Sequence, residues 1–155
     1  MDREELTAHE EIRRTLAQYN QAGDGDAAEL YAAAFTPDAL FEAPAFRHSG
    51  RDAILAWKRS HKVFGSATFR QHHVSSTLIE LESMSVAHVR SNWLAITNIG
   101  QDHCGRYLDR FRKTGDRWLI EHRRVTILWR AENSSLGPEH LSPGDEPYVP
   151  ARSSA

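Results

Sequence analysis

Apolar positions along the chain recur with two different periods, and the change from one to the other falls near residue 69. In the first part Ile12, Leu16 and Tyr19 stand three and four residues apart, the spacing of one helical face. Thr7 followed by Glu10 is a capping-box signal and Gly23 a stop, which predicts a first helix over about 7–22. Asp26-Ala27-Ala28-Glu29 repeats the cap pattern, and Leu30, Ala33 and Ala34 supply one apolar face for a short second helix before Thr36-Pro37-Asp38 ends it. Residues 39–46 are a brief apolar and aromatic run. Ser49, Gly50 and Asp52 then open a third helical segment that carries Ile54 and Trp57 and ends by Phe64-Gly65. From Phe69 onward the period is two, the mark of half-buried antiparallel strands. The predicted strands are 69–81, 86–99, 104–113 and 118–129, with a hairpin turn at Thr114-Gly115-Asp116. Helices first and strands second predict an α+β fold, three N-terminal helices packed on a curved antiparallel sheet.

Both periods fail after Trp129, for residues 131–155 hold four of the six prolines together with Gly137 and Gly144. The expected organisation is therefore one domain over 1–130 and a C-terminal arm or tail over 131–155. So few apolar groups cannot order a segment by burying its own surface, so Leu136, Leu141, Tyr148 and Val149 are its candidate anchors on a surface already formed. The partner subunit of a homodimer is the expected support. Composition adds mainly exclusions. An apolar share of 40% and a charged share of 26% are those of an ordinary globular domain. A formal charge of -2 with no basic run argues against nucleic acid as a partner. No apolar stretch approaches the roughly 20 residues that span a bilayer, and the start Met1-Asp2-Arg3-Glu4-Glu5 is too acidic for a signal peptide, so a cytoplasmic protein without a membrane partner is expected. Cys104 is the one cysteine, which excludes an internal disulfide and a cysteine-based zinc site and suggests a small strand residue.

Several stretches, in order, resemble the SnoaL-like branch of the nuclear transport factor 2-like superfamily, which also holds scytalone dehydratase, bile-acid dehydratases, ketosteroid isomerase and the small subunits of ring-hydroxylating dioxygenases. Tyr19-Asn20-Gln21-Ala22-Gly23-Asp24-Gly25-Asp26 is similar to the end of that family's first helix. Phe35-Thr36-Pro37-Asp38-Ala39-Leu40-Phe41 and Gly50-Arg51-Asp52-Ala53-Ile54 resemble its first strand and third helix entry. Arg70-Gln71-His72-His73-Val74-Ser75-Ser76 resembles the strand carrying the catalytic histidine of scytalone dehydratase, and Gly105-Arg106-Tyr107-Leu108-Asp109, leading to Trp118 and Trp129, resembles the closing hairpin. The likeness spans roughly residues 6–130. It implies a cystatin-like cone around a pocket for one small apolar molecule.

Within that frame Asp24, His72 and Tyr19 are the candidate catalytic residues. Asp24 lies between two predicted helices and would serve equally as a helix cap; Tyr19, five residues earlier, lies on a nearby face and would otherwise be a core aromatic. Strand parity groups His72, Val74, Ser76 and Leu78 on one face and His73, Ser75, Thr77 and Ile79 on the other. Only one of the adjacent histidines can face a cavity; the resemblance points to His72. Neighbouring strand residues cannot share one ion, so neither a metal nor another cofactor is expected. A carboxylate beside the imidazole fixes its tautomer and holds it near neutrality, as a general base requires, and Tyr19 could polarise a carbonyl or protonate a leaving hydroxyl. A second pocket histidine of scytalone dehydratase falls near Ala95 here, which puts that substrate in doubt. Phe41, Trp57, Trp93 and Tyr107 are candidate pocket walls. One of Arg123 and Arg124 must face inward or lie at the cone mouth, to hold a carboxylate or enolate or to pair with Glu121 or Asp109, and Arg123 is the candidate substrate-binding residue. The expected function is a cofactor-free lyase or isomerase of the dehydratase kind acting on a small apolar ring compound; the alternative is a non-catalytic binding or assembly module such as a dioxygenase small subunit.

Overall fold

The computed structural model describes residues 1–60 and 69–144. Helix α1 spans Arg3–Asp24, earlier than Thr7 predicts, because a capping box forms upstream. The Asp2 carboxylate accepts from the backbone of Glu4 and Glu5 at 2.8 and 2.9 Å, while Glu5 accepts from the Asp2 backbone at 2.8 Å. Thr7 lies inside the helix, its hydroxyl donating to the Arg3 carbonyl at 2.9 Å. Helix α2 (Ala28–Ala32) has Ala27 at its N-cap with no side-chain cap bond, so Asp26 does not play the capping part its sequence position suggests. Leu30 is exposed, and α2 packs through Ala28, Tyr31 and Ala32 instead. A hairpin of β1 (Phe35–Ala43) and β2 (Phe46–Ser49) leads into α3 (Arg51–Ser60). The expected end of this helix at Phe64-Gly65 lies outside the described residues. Four long strands complete the domain: β3 (Arg70–Ser83), β4 (Val86–Thr97), β5 (Gly100–Thr114) and β6 (Arg117–Arg130).

The strands form one sheet in the order β2-β1-β6-β5-β4-β3. Neighbours are antiparallel except β1 and β6, which run parallel. The sheet is thus mixed, with the early hairpin added along the last strand. Helices cover its inner face, where Ile12 of α1 and Ile54 of α3 are fully buried with Phe35, Phe111 and Ile120. The Thr15 hydroxyl ties α1 to β6 by donating to the Trp118 carbonyl at 2.6 Å. No helix among the described residues is long and apolar enough to cross a membrane.

Two bulges decide which side chains face inward. In β3 the register shifts between Ser75 and Leu78, and Ser76 takes a left-handed φ of 47°. The extra residue inverts the parity, so His72 and Val74 face inward before it and Thr77 and Ile79 after it. Ser76 and Leu78, which simple alternation groups with His72, are exposed. In β6 Ile120 pairs with Phe111 but His122 with Arg110, leaving Glu121 extra. Trp118 and Ile120 face inward, and the shift makes Arg123 rather than Arg124 the next inward residue.

Arg123 is completely buried and makes a two-pronged bond to Asp109, Nε and Nη2 donating at 2.8 and 2.6 Å. Its guanidinium lies between the Tyr19 and Tyr107 rings, 4.0 Å from each centroid. Burial pushes the Asp109 carboxyl upward, and the adjacent guanidinium opposes that shift. Two charges out of water are tolerable here because each neutralises the other and two ring faces cover the cation. Removing one partner strands the other. Asp109→Ala should therefore destabilise the protein by about 3–5 kcal/mol, read from urea unfolding, with Asp109→Leu combined with Arg123→Met recovering most of the loss; a single-variant loss below about 1 kcal/mol, the range of an exposed pair, would show that the pair is not a structural anchor.

Candidate functional site

Between the ends of the helices and the inner face of the sheet lies a cavity of about 350 Å³. Every α-helix and strand of the described fold contributes to its wall: Tyr19 from α1, Tyr31 from α2, Phe41 from β1, Phe46 from β2, Trp57 from α3, His72 from β3, Trp93 from β4, Tyr107 from β5 and Ile127 from β6. The candidate walls Phe41, Trp57, Trp93 and Tyr107 thus meet in one place. Phe41 packs edge-on to Trp57 at a centroid distance of 5.5 Å, and Trp93 stacks on Tyr107 at 5.7 Å. Such walls suit a flat apolar ligand.

Asp24 and His72 come together across 48 positions of sequence. The imidazole Nδ1 lies 2.6 Å from one carboxylate oxygen of Asp24, and the His72 backbone N–H donates to the other at 2.9 Å. Both oxygens are spent on His72, none on capping α2. A carboxylate on Nδ1 places the proton there and the ring's lone pair on Nε2. His73, on the opposite face, is exposed. Asp24 is the last residue of α1, where the helix dipole disfavours a negative charge. Cations offset this: Lys58 Nζ and Arg70 Nη2 both donate to the Gly23 carbonyl, at 3.0 and 2.8 Å, and both pair with Asp26. Asp26 is held by those two cations below the ordinary carboxylate range despite some desolvation.

Tyr19 lines the cavity, and its hydroxyl accepts from Tyr31 at 2.7 Å. Burial pushes both phenols above their ordinary value, so both stay protonated donors. Arg123 is not part of the wall: Tyr19 and Tyr107 cover it, and Asp109 takes its charge. A guanidinium so placed cannot reach a ligand in this cavity, so it supports the floor rather than holding a carboxylate. Arg124 lies on the other face, paired in register with Leu108.

Sequence reasoning missed a second imidazole. His103 lines the cavity, its Nδ1 2.8 Å from the Asp102 carboxylate, and both residues are buried. Asp102 also accepts from the Thr97 hydroxyl at 2.8 Å and from the Ser134 hydroxyl. Burial alone would raise this carboxyl, but those donors bring it below its ordinary value. His103 stands directly across from Ala95 in the β4–β5 register, so the place where the resemblance lacks a histidine receives one from the neighbouring strand. The signal was parity: His103, Gly105 and Tyr107 alternate along β5, but a strand begun at Cys104 leaves His103 in the turn. Asp102–His103 is a second pair, distinct from Asp24–His72. Among the described residues no group of three or more His, Cys, Asp or Glu is placed to hold a metal ion.

The stretch after β6 also contributes. Ser135, Leu136 and His140 line the cavity, and a 3₁₀ turn at Pro138–His140 precedes Ser142, whose N–H donates to the Ile127 carbonyl at 2.8 Å. Leu136 packs on the core, whereas Leu141 is exposed and does not act as an anchor there. Tyr148 and Val149 lie outside the described residues. The first part of the expected arm is thus a strap over its own chain's cavity.

These features agree with comparison to known proteins. Residues 4–124 match the family model described as SnoaL-like domain, and the chain belongs to that family. A Novosphingobium aromaticivorans DSM 12444 protein named "Putative Scytalone Dehydratase" is similar at 25% identity and a TM-score of 0.79, over 95% of this chain and 100% of that one. A nuclear transport factor 2-like protein with a cystatin-like fold from Novosphingobium aromaticivorans is similar at 21% identity and a TM-score of 0.72, covering 84% and 86% of the two chains. A type 2 hexachlorocyclohexane dehydrochlorinase, LinA, shares the fold at 12% identity and a TM-score of 0.74, over 89% of this chain and 99% of that one. No curated protein matches the chain.

Burial lowers the His103 pKa from the ordinary 6.5, outweighing the pull of Asp102 in the other direction. The folded protein therefore holds this proton less readily than the unfolded chain does. Its contribution to stability is complete above the ordinary value and is lost as pH falls through the lower, folded one. We expect the His103 ring signal to titrate below 6.5 by NMR and the wild-type urea midpoint to fall on acidification more steeply than that of His103→Gln. A midpoint whose pH dependence is the same in both proteins would contradict the burial argument.

Proposed function

We propose that this chain is a cofactor-free lyase or isomerase of the dehydratase kind, acting on a small apolar ring compound, with His72 as general base and Asp24 as the group that orients it. The observation that carries the reading is the 2.6 Å contact between Asp24 and the Nδ1 of a histidine that lines an aromatic cavity. An assembly module would use Asp24 as a cap and fill the space with side chains; neither feature is present among the described residues.

The chemistry is proton transfer next to a carbonyl. The C–H bond breaks, its proton moves to His72 Nε2, and the electron pair passes into an enolate whose oxygen accepts from the Tyr19 hydroxyl. Tyr31, donating to Tyr19, strengthens that donor through a chained hydrogen bond. If a hydroxyl sits one carbon further on, it leaves as the double bond forms and takes the proton His72 has just acquired, so that water is the product. If none does, the same proton returns at a different carbon and the double bond has moved. Family membership and the similarity to a scytalone dehydratase-like protein support this class of reaction.

The test uses a panel of cyclic β-hydroxy ketones and non-conjugated enones, with turnover followed as the rise in ultraviolet absorbance on conjugation. His72→Ala should lower the rate by about 10³-fold or more, within the range of general-base removal, with the fold intact by circular dichroism. His73→Ala should leave it within about twofold, as for an ordinary surface substitution. Equal losses in the two variants, or an undiminished rate in His72→Ala, would overturn the assignment.

A further inference from the structure

The ionisable side chains of the cavity wall, phenols aside, are of one sign. Lys58, Arg70, His72, His103 and His140 line it, and among the described residues no Asp or Glu does. Composition does not account for this, since the chain holds 21 acidic residues against 19 lysines and arginines. The carboxylates are present but stand one layer back, Asp24 on His72, Asp102 on His103 and Asp26 on Lys58 and Arg70. A ligand in the cavity therefore meets the basic member of each pair before the acidic one. In a space of low dielectric that ordering leaves a positive potential along the wall.

Lys58 and Arg70 give that potential a place. Their side chains are 4% and 12% exposed, whereas that of Asp26, which serves both, is 61% exposed. Water screens the carboxylate on its open side, while the two buried cations have far less screening toward the cavity. Lys58 Nζ also stands 5.4 Å from the centroid of the Tyr31 ring, itself part of the wall. Burial lowers the Lys58 pKa from its ordinary value, with Asp26 opposing, so a further anion nearby would relieve a cost the fold already bears. Arg70 and His72 alternate on the inward face of β3, their Cα atoms roughly 6.5 Å apart, so one ring can lie against His72 while a substituent at its edge points to the cations.

We propose that the Lys58 and Arg70 end of the cavity binds a carboxylate carried on the ring of the ligand, so that the substrate class is a ring carboxylic acid. The pull is between charges, so the bonds that both side chains make to Gly23 and Asp26 can stand while the carboxylate is held. A planar group of one charge suits this cavity better than a phosphate, whose second charge would be buried with less compensation. The proposal rests on the apolar-ring reading of the cavity given above but not on the assignment of His72 as base.

Binding measures it without turnover. Isothermal titration of the full chain at neutral pH with 2-naphthoate, 2-naphthamide and 2-naphthylmethylamine compares one ring system bearing an anionic, a neutral and a cationic group. Wild type should bind 2-naphthoate about tenfold or more tighter than the amide, the scale of one hydrogen bond to a charged group, and the amine most weakly. In Lys58→Met and in Arg70→Met the preference for the anion should fall toward one, with binding of the amide retained as proof of an intact cavity, and Lys58→Arg should keep it. If the two cations only fasten the end of α1, the methionine variants will weaken both ligands alike and leave the preference unchanged, which would overturn the proposal. Equal binding of 2-naphthoate and 2-naphthamide by wild type would do the same while leaving the ring pocket standing, and needs no variant to fold. If none of the three ligands binds, both this proposal and the ring-pocket reading fall. If the preference behaves as expected but His72→Ala still turns over the ketone panel, only the base assignment falls.

Discussion

The Arg123–Asp109 pair governs how deep the cavity is. Tyr19 and Tyr107 form part of the floor, and each presses one ring face on the same buried guanidinium. A cation in that position needs a counter-charge and cannot leave, so the rings above it cannot sink into the core. The Tyr19 hydroxyl is held at the level of the cavity for this reason. What looks in sequence like a substrate-binding arginine is in the structure the support beneath two cavity-lining phenols. The Glu121 bulge is part of the same arrangement, because without the extra residue the parity of β6 would bring Arg124 inward instead.

Above that floor the polar groups are arranged in order. His72 and His103 each have a carboxylate on Nδ1, which holds both rings in the same orientation toward their acidic partner. Their carboxylates are paid for differently, one by cations gathered at the end of α1 and the other by neutral hydroxyls and burial within the wall. Lys58 and Arg70 quench the negative end of the helix, allowing Asp24 to stand where a helix would ordinarily favour a basic residue. The lowered pKa of His103 follows from the more complete burial of its site.

Much of this was legible in the chain, and the parts that were not share a cause. The change of period at residue 69 marks the division between helices and sheet, and the family resemblance around Tyr19, Asp24 and His72 nominates residues that the fold brings together, Tyr19 and His72 in the cavity wall and Asp24 on the His72 imidazole. Alternation carries no information about inserted residues, however, and both bulges escaped it: Ser76 and Leu78 lost their inward places, and the choice between Arg123 and Arg124 stayed open. The parallel pairing of β1 with β6 is a long-range contact that no local pattern encodes. Asp2 and Asp26 show the limit of cap signals. Two aspartates in similar settings differ because one meets only its own helix, while the other meets Lys58 and Arg70.

The strap over 131–144 gives the chain a division of labour in time. Its residues are made after every strand of the sheet, so during synthesis the strands of the frame are complete before this wall of the cavity is added. Ser134 then fastens to Asp102, and Ser135, Leu136 and His140 close one side. The match to the family stops at residue 124, short of this segment. Changes in these fourteen residues outside the sheet can reshape one side of the cavity while the strands and the Asp24–His72 contact stay as they are.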